Sequence, residues 1–203
     1  MAAVRAVLGV ETRNDNIPVH GMLDPDILMR MMINAGVSRR QARPALPAIC
    51  RAAVRYYLEN VPDLRRKTCP GVRPLLNRLR RRGAVLGVVS GNLSRIGWKK
   101  LACAGLREYF RFGTFADMAA TRIELARLAL RRAESRGWIN GRAPRVLIGD
   151  TPNDVEAGRA NGIDTIAVAT GLSSLAELRA SGASLCAANL TDPAVMEWLR
   201  ARW

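Results

Sequence analysis

The residues of this chain best placed to do chemistry lie between Arg145 and Ala157. An apolar run, Val146-Leu147-Ile148, ends in Gly149 and Asp150, and a helix start follows with Thr151, Pro152, Asn153 and a second carboxylate, Asp154. Two acids delivered to the rim of a sheet suit a hard cation, because Mg2+ takes oxygen ligands, commonly one or two carboxylates together with phosphate. The same residues also have a plainer use. Thr151 can cap a helix that begins at Pro152, with Asp154 closing a capping box. Taken alone, the segment leaves both readings open. Two further candidates are Ser90, in Val88-Val89-Ser90-Gly91-Asn92, and Arg122, directly after Thr121. Arg122 too has a plain reading, as a first-turn residue behind a Thr121 cap closed by Glu124.

The elements that must position these residues follow from hydrophobic spacing. Residues 1–67 read as helical, with no strand of any strength. Asp24 suits an N-cap with Pro25 at the first helical position, Ser38 caps the next segment, and Pro44 and Pro47 interrupt or begin helices. From Cys69-Pro70-Gly71 onward the pattern alternates. Short apolar runs at 84–89, 110–115, 145–148, 165–169 and 184–187 read as strands. Segments 72–82, 94–104, 121–137, 153–161, 172–181 and 192–200 read as helices. Short strands apolar on both faces, alternating with helices, predict an α/β fold with a Rossmann-like parallel sheet covered on both sides. Ligands in such folds bind outside the carboxyl ends of the strands, and Ser90 and Asp150 both lie at such ends.

Composition narrows the function classes. A chain of 203 residues, 49% hydrophobic and 24% charged, suits one α/β domain or a core with a smaller appendage. It has no apolar run of about 18 residues, so no membrane span is expected. Its first residues lack the order of a signal peptide, which points to a cytoplasmic protein. Four cysteines lie far apart without a CxxC pair, and the only histidine is His20, which argues against zinc. The thiols read as small, partly buried groups, and His20, in a loop-like context, as structural. The formal charge of +15 invites a nucleic-acid reading. Yet the lysines are only Lys67, Lys99 and Lys100 among 32 basic residues, and aromatic residues make up 5%. Arginines dispersed over helix faces with no base-stacking platform read instead as a solvated surface.

In order and spacing, Ser90-Gly91-Asn92, Arg122 and Gly149–Asp154 resemble motifs two, three and four of the haloacid dehalogenase superfamily of phosphohydrolases. The resemblance is closest to the phosphoglycolate-phosphatase-like branch, which inserts a helical cap after its first motif. It covers essentially the whole chain. Cys69-Pro70-Gly71-Val72 resembles the return from cap to core, and 157–162 the helix after motif four. The resemblance implies a cap over 1–67, with a remnant of the first core-to-cap helix, and a core over 68–203. Ser90, with backbone N–H groups at Gly91 and Asn92, would cradle a phosphoryl group, and Arg122 would stabilise its charge. Asp150 would bind Mg2+, and Asp154 would bind it or orient its hydration shell. The substrate would be a small phosphorylated metabolite, hydrolysed through an aspartyl-phosphate.

One departure qualifies this. The family's nucleophile and acid/base are two aspartates in a DxD motif directly after the first core strand. Here the only DxD, Asp24-Pro25-Asp26, follows a loop and opens a helix. The first strand and both aspartates are therefore expected to be missing. That leaves the strands ending at Ser90 and Asp150 facing each other across a gap, in a shortened, inactive chain. The alternative is a non-catalytic relative that binds a phosphorylated ligand or a protein through Ser90, Arg122 and Asp154.

Overall fold

The computed structural model describes residues 1–202; Trp203, the last residue of the expected core, lies outside them. Three helices come first: α1 (Ala2–Leu8), α2 (Asp24–Asn34) and α3 (Arg39–Glu59). They close around their own apolar cluster, in which Val4, Met32, Ala42 and Ile49 are fully buried. Two local expectations are corrected here. The N-cap of α2 is Leu23 rather than Asp24, so Asp24 and Pro25 are its first and second residues. The Asp24 carboxylate instead accepts hydrogen bonds from Leu93 N (2.8 Å) and Asn92 Nδ2 (3.2 Å). Pro44 and Pro47 do not interrupt α3 but lie inside one 21-residue helix. Being three apart, they share its exposed face, where water can take up the carbonyls they leave unbonded, while Ala42, Ile49 and Ala52 hold the other face in the core.

Beyond residue 71 the chain alternates. Helix α4 (Val72–Arg81) precedes β1 (Gly87–Ser90), α5 (Ser94–Cys103), a 3-10 turn at Arg107–Tyr109 and β2 (Phe112–Phe115). Then follow α6 (Arg122–Ser135), β3 (Val146–Gly149), α7 (Pro152–Arg159), β4 (Asp164–Val168), α8 (Leu175–Ala180), β5 (Leu185–Ala187) and α9 (Pro193–Arg200). All strand pairs are parallel, as the alternation requires: β1 with β2, β3 with β4, and β4 with β5. Helices on both faces complete an α/β fold of Rossmann type. Side chains at their starts anchor several of these helices, with reciprocal capping boxes at Ser38/Gln41, Thr121/Glu124, Thr151/Asp154 and Ser174/Glu177.

The strands do not form one continuous sheet. They divide into a two-stranded unit, β1-β2, and a three-stranded unit, β3-β4-β5. The strands facing the division are half exposed, whereas β2 and β4 behind them are mostly buried. Helix α6 packs on β1, β2 and α7 and so spans both units. On the opposite face, Leu75 and Leu79 of α4 and Val195 and Leu199 of α9 meet Ile166 and Val168, with Leu86, Val146 and Ile148 at the margin. Arginine is accommodated by stacking: Arg107 lies 3.9 Å from the Trp98 ring centre and Arg111 4.4 Å from that of Trp138.

Leu125 sits at the junction. It is fully buried in the first turns of α6, packed with Leu23 and Ala116, and its carbonyl accepts from the buried Thr114 hydroxyl at 3.0 Å. Leu125→Ala should lower unfolding free energy by about 2–5 kcal/mol, measured by urea titration. A loss below about 1 kcal/mol would show that α6 does not join the two units.

Candidate active site

The carboxyl ends of β1 and β3 and the starts of α6 and α7 meet, and Asp154 is the residue through which they do so. Its Oδ2 accepts from Thr151 Oγ1 (2.7 Å) and Thr151 N (3.2 Å), completing the α7 capping box. Its Oδ1 faces Arg122 Nε at 3.5 Å, close enough for charge attraction but without hydrogen-bond alignment. Asp154 is buried, at 8% exposure. It reaches this position because Gly149 lacks a side chain: a Cβ there would lie 2.5 Å from the Asp154 carboxylate. Capping and site geometry are therefore one arrangement.

Arg122 is held loosely for a buried cation. Its remaining contacts are to the carbonyls of Val89 and Gly21, each at 3.5 Å. Its side chain is 15% exposed, and Nε has no hydrogen-bond partner. A part-buried guanidinium whose three contacts are all long, one of them to the Asp154 carboxylate, keeps donors for a second anionic partner. Ser90 ends β1 beside Val89, and its Oγ accepts from Asn92 N at 3.2 Å, leaving the hydroxyl proton free to donate. The Asn92 side chain is engaged at both ends. It donates to Asp24 and accepts from Lys100 Nζ at 3.0 Å.

Asp150 differs from Asp154. Its side chain is 40% exposed, and no hydrogen bond reaches its carboxylate among the described residues; His20 Nε2 lies 3.9 Å away. Leu172 N donates to that nitrogen at 3.4 Å. His20 belongs to a loop that covers the site. Gly21 O accepts from Asn153 Nδ2 (3.1 Å), Gly91 O accepts from Asp24 N (2.7 Å), and the Met22 carbonyl rests against Gly91, where a Cβ would collide with it. Sequence reasoning set His20 aside as structural and did not single out Lys100 or Asn153. Asn153 lies within the Gly149–Asp154 stretch but was given no role of its own, Lys100 comes from α5 just beyond Asn92, and His20 is brought in by a loop distant in sequence.

A hard cation fits this set in part. Asp150 offers a free, exposed carboxylate, whereas Asp154 has one oxygen occupied and the other beside Arg122. Among the described residues no cluster of three or more His, Cys, Asp or Glu is placed to hold a metal. Burial pushes the Cys50 and Cys186 thiols above the ordinary range, with nearby Asp24 adding to the effect at Cys50. A cleft of about 680 Å3 opens from Arg122 toward α2 and α3, lined also by Asn153, Arg30, Arg39 and Arg43.

Comparison with known proteins bears on the fold. The family model of haloacid dehalogenase-like hydrolases matches residues 26–168. The fold resembles a β-phosphoglucomutase from Clostridium difficile (TM-score 0.68, 16% identity, 98% of this chain and 87% of that one). It also resembles a protein from Haemophilus somnus described as a predicted phosphoglycolate phosphatase (0.67, 15%, 96% and 87%). A third resemblance is to CbbY from Rhodobacter sphaeroides, solved as a mutant with xylulose-1,5-bisphosphate (0.66, 19%, 94% and 85%). No curated protein sequence matches the chain.

The Gly149–Asp154 contact yields a prediction that needs no substrate. Gly149→Ala should displace the Asp154 carboxylate, open the capping box and lower stability by about 1–3 kcal/mol. Thermal and urea unfolding would measure it. A neutral effect would mean that Asp154 does not lie against β3.

Proposed function

Since the chain belongs to the haloacid dehalogenase-like hydrolases, we propose that its site serves Mg2+-dependent hydrolysis of small phosphate monoesters. In this reading the nucleophilic carboxylate arrives on a strand from outside these 203 residues. The observation that carries it is Arg122, a part-buried guanidinium with only long contacts, to Asp154 and to the carbonyls of Gly21 and of Val89, the neighbour of Ser90. That arrangement suits a phosphoryl group. Ser90 Oγ and the backbone at Gly91 and Asn92 would bind its oxygens, and Arg122 would balance the charge that grows as the ester bond breaks. The carboxylate attacks phosphorus and the alcohol leaves; water then attacks the aspartyl-phosphate and releases orthophosphate. Asp150 would hold Mg2+, with Asp154 orienting from behind. The cation would lessen repulsion between carboxylate and phosphate.

Residues 1–67 would act as the cap and 68–203 as the core, with the His20 loop and the arginine-lined cleft receiving the organic part of the substrate. Arg30, Arg39 and Arg43 outnumber Asp26 and Glu156 on the cleft wall, which would favour a substrate with negative charge beyond the reacting phosphate. No helix of the described residues is long and apolar enough to cross a membrane, and a cytoplasmic small-molecule enzyme is the setting proposed. The second reading, a non-catalytic relative that binds a phosphorylated ligand or a protein, is favoured by the engagement of Asp24. Its carboxylate is tied to Leu93 and Asn92 rather than free to attack.

The test is a protein extended ahead of Met1 by an apolar strand and an Asp-x-Asp pair. It should hydrolyse phosphate esters with Mg2+ and lose that activity in chelator, while the 203-residue chain should show none. In the extended protein Arg122→Met should lower kcat by about 10²–10³-fold, and Asp150→Asn should raise the Mg2+ requirement sharply. Absence of turnover across a broad phosphate-ester panel would leave the non-catalytic reading. Normal turnover by the 203-residue chain would mean that one of its own carboxylates is the nucleophile.

A further inference from the structure

Two opposite charges flank the turn that follows β1, and neither has an ionic partner. Asp24, at the start of α2, and Lys100, in the last turn of α5, are half-buried and form no ion pair among the described residues. Between them lies the Asn92 side-chain amide. Its oxygen accepts from Lys100 Nζ at 3.0 Å, and its nitrogen donates to Asp24 Oδ1 at 3.2 Å. An ammonium only donates and a carboxylate only accepts, so the two charges fix which way the amide points. Each also polarises the amide in the sense that strengthens the bond at its other end. Asn92 thus completes an ion pair through a single side chain, and neither half-buried charge is left uncompensated.

The surroundings reinforce this bridge. Lys100 Nζ lies 5.6 Å from the Tyr57 ring centre, so an aromatic face from α3 also meets the cation. Asp24, Asn92, Lys100 and Tyr57 line one pocket of about 340 Å3 together with Leu28 and Ile96. Apolar walls of this kind strengthen polar contacts by lowering the local dielectric. The turn itself is held mainly from Asp24: Asp24 N donates to Gly91 O, and the carboxylate accepts from Asn92 Nδ2 and Leu93 N. Ala116 N, just beyond β2, donates to the Asn92 carbonyl at 3.0 Å. Asn92 N donates in turn to Ser90 Oγ, so the aim of the Ser90 hydroxyl depends on how Asn92 is held.

We propose that Lys100 and Asp24 are positioning residues for the anion site: joined through the Asn92 amide, they hold the turn from Ser90 to Leu93 in the form that presents Ser90 Oγ, without touching the ligand themselves. The role in anion binding rests on the phosphatase reading, whereas the bridge is read separately. The probe is inorganic phosphate, titrated calorimetrically into the 203-residue chain, with Arg122→Met as the control that removes the site's cation. Lys100→Met, which keeps the apolar stem against Tyr57, should raise Kd at least about fivefold, the size expected for one charge-assisted hydrogen bond. Lys100→Arg should bring it back to within about twofold of wild type. Asp24→Asn should weaken binding to a similar degree. The double variant should be no weaker than the poorer single one, because both substitutions break the same bridge. By nuclear magnetic resonance, the Asn92 side-chain NH2 should exchange with water at least about tenfold faster in Lys100→Met. A general loss of stability would instead speed exchange along the whole chain.

Phosphate binding that is lost in Arg122→Met but stays within about twofold of wild type in Lys100→Met would overturn the positioning role and leave the anion reading standing. So would multiplied losses in the double variant, no recovery with Lys100→Arg, or an Asn92 amide whose exchange ignores Lys100. If the wild type binds no phosphate while Lys100→Met still speeds exchange at Asn92, the anion reading falls, the positioning role falls with it, and the bridge remains as a structural tie.

Discussion

The molecule depends on helix α6 holding together two pieces of sheet that share no hydrogen bond. Parallel strands are normally joined laterally by a ladder of backbone bonds. Here that ladder stops at β1 and resumes at β3, so the join is made by side chains above and below the sheet. Below, α6 packs on β1, β2 and α7; above, α4 and α9 cover the remaining strands, with Leu86 at the edge. Apolar packing is non-directional, so it can hold the units together without fixing their spacing as tightly as a backbone ladder would. The half-exposed state of β1 and β3, beside the buried β2 and β4, is the visible cost.

This places unusual demands on the starts of α6 and α7, which also carry the site. Asp154 caps α7 with one oxygen and faces Arg122 with the other. Arg122 in turn touches Val89, at the end of the other half-sheet. Electrostatics at the site and the relative placement of the two units are thus linked through one arginine. An anion bound there would strengthen the weakest lateral connection in the fold, a form of stabilisation by ligand that acts on geometry as well as on the folded population.

Much of this was legible in the sequence. Strand positions, the parallel arrangement and the placing of Ser90 at the end of β1 and Asp150 just after β3 follow from apolar runs bounded by glycine, serine and aspartate, because those features are local. The Thr151-x-x-Asp154 ambiguity turned out to be a false choice at the level of geometry, since one carboxylate caps the helix and faces Arg122 at the same time. What was not legible depends on distant packing. The prolines of α3 read as breaks because their cost is local, while the burial of Ile49 and Ala52 that offsets it is not. His20 could not be placed beside Asp150, because its position has no periodic signature and depends on how the loop ahead of α2 sits against the strand ends.

The loop ahead of α2 carries one more consequence, for timing. Together with Asp24, the first residue of α2, it is fastened beside the strand ends by four hydrogen bonds of 3.2 Å or less, Asp24 N to Gly91 O, Leu93 N and Asn92 Nδ2 to the Asp24 carboxylate, and Asn153 Nδ2 to Gly21 O. At a net ~0.5–1.5 kcal/mol each, lifting it would cost roughly 2–6 kcal/mol, so the lifted form would be rare but thermally reachable. Motions of this size run on microsecond to millisecond timescales. Because the bonds end on Gly91, Asn92 and Asn153, beside Ser90 and Asp154, whatever occupies the site also competes for the loop's own anchors. The traffic of molecules into and out of this cleft is thereby tied to the clock of a single short loop.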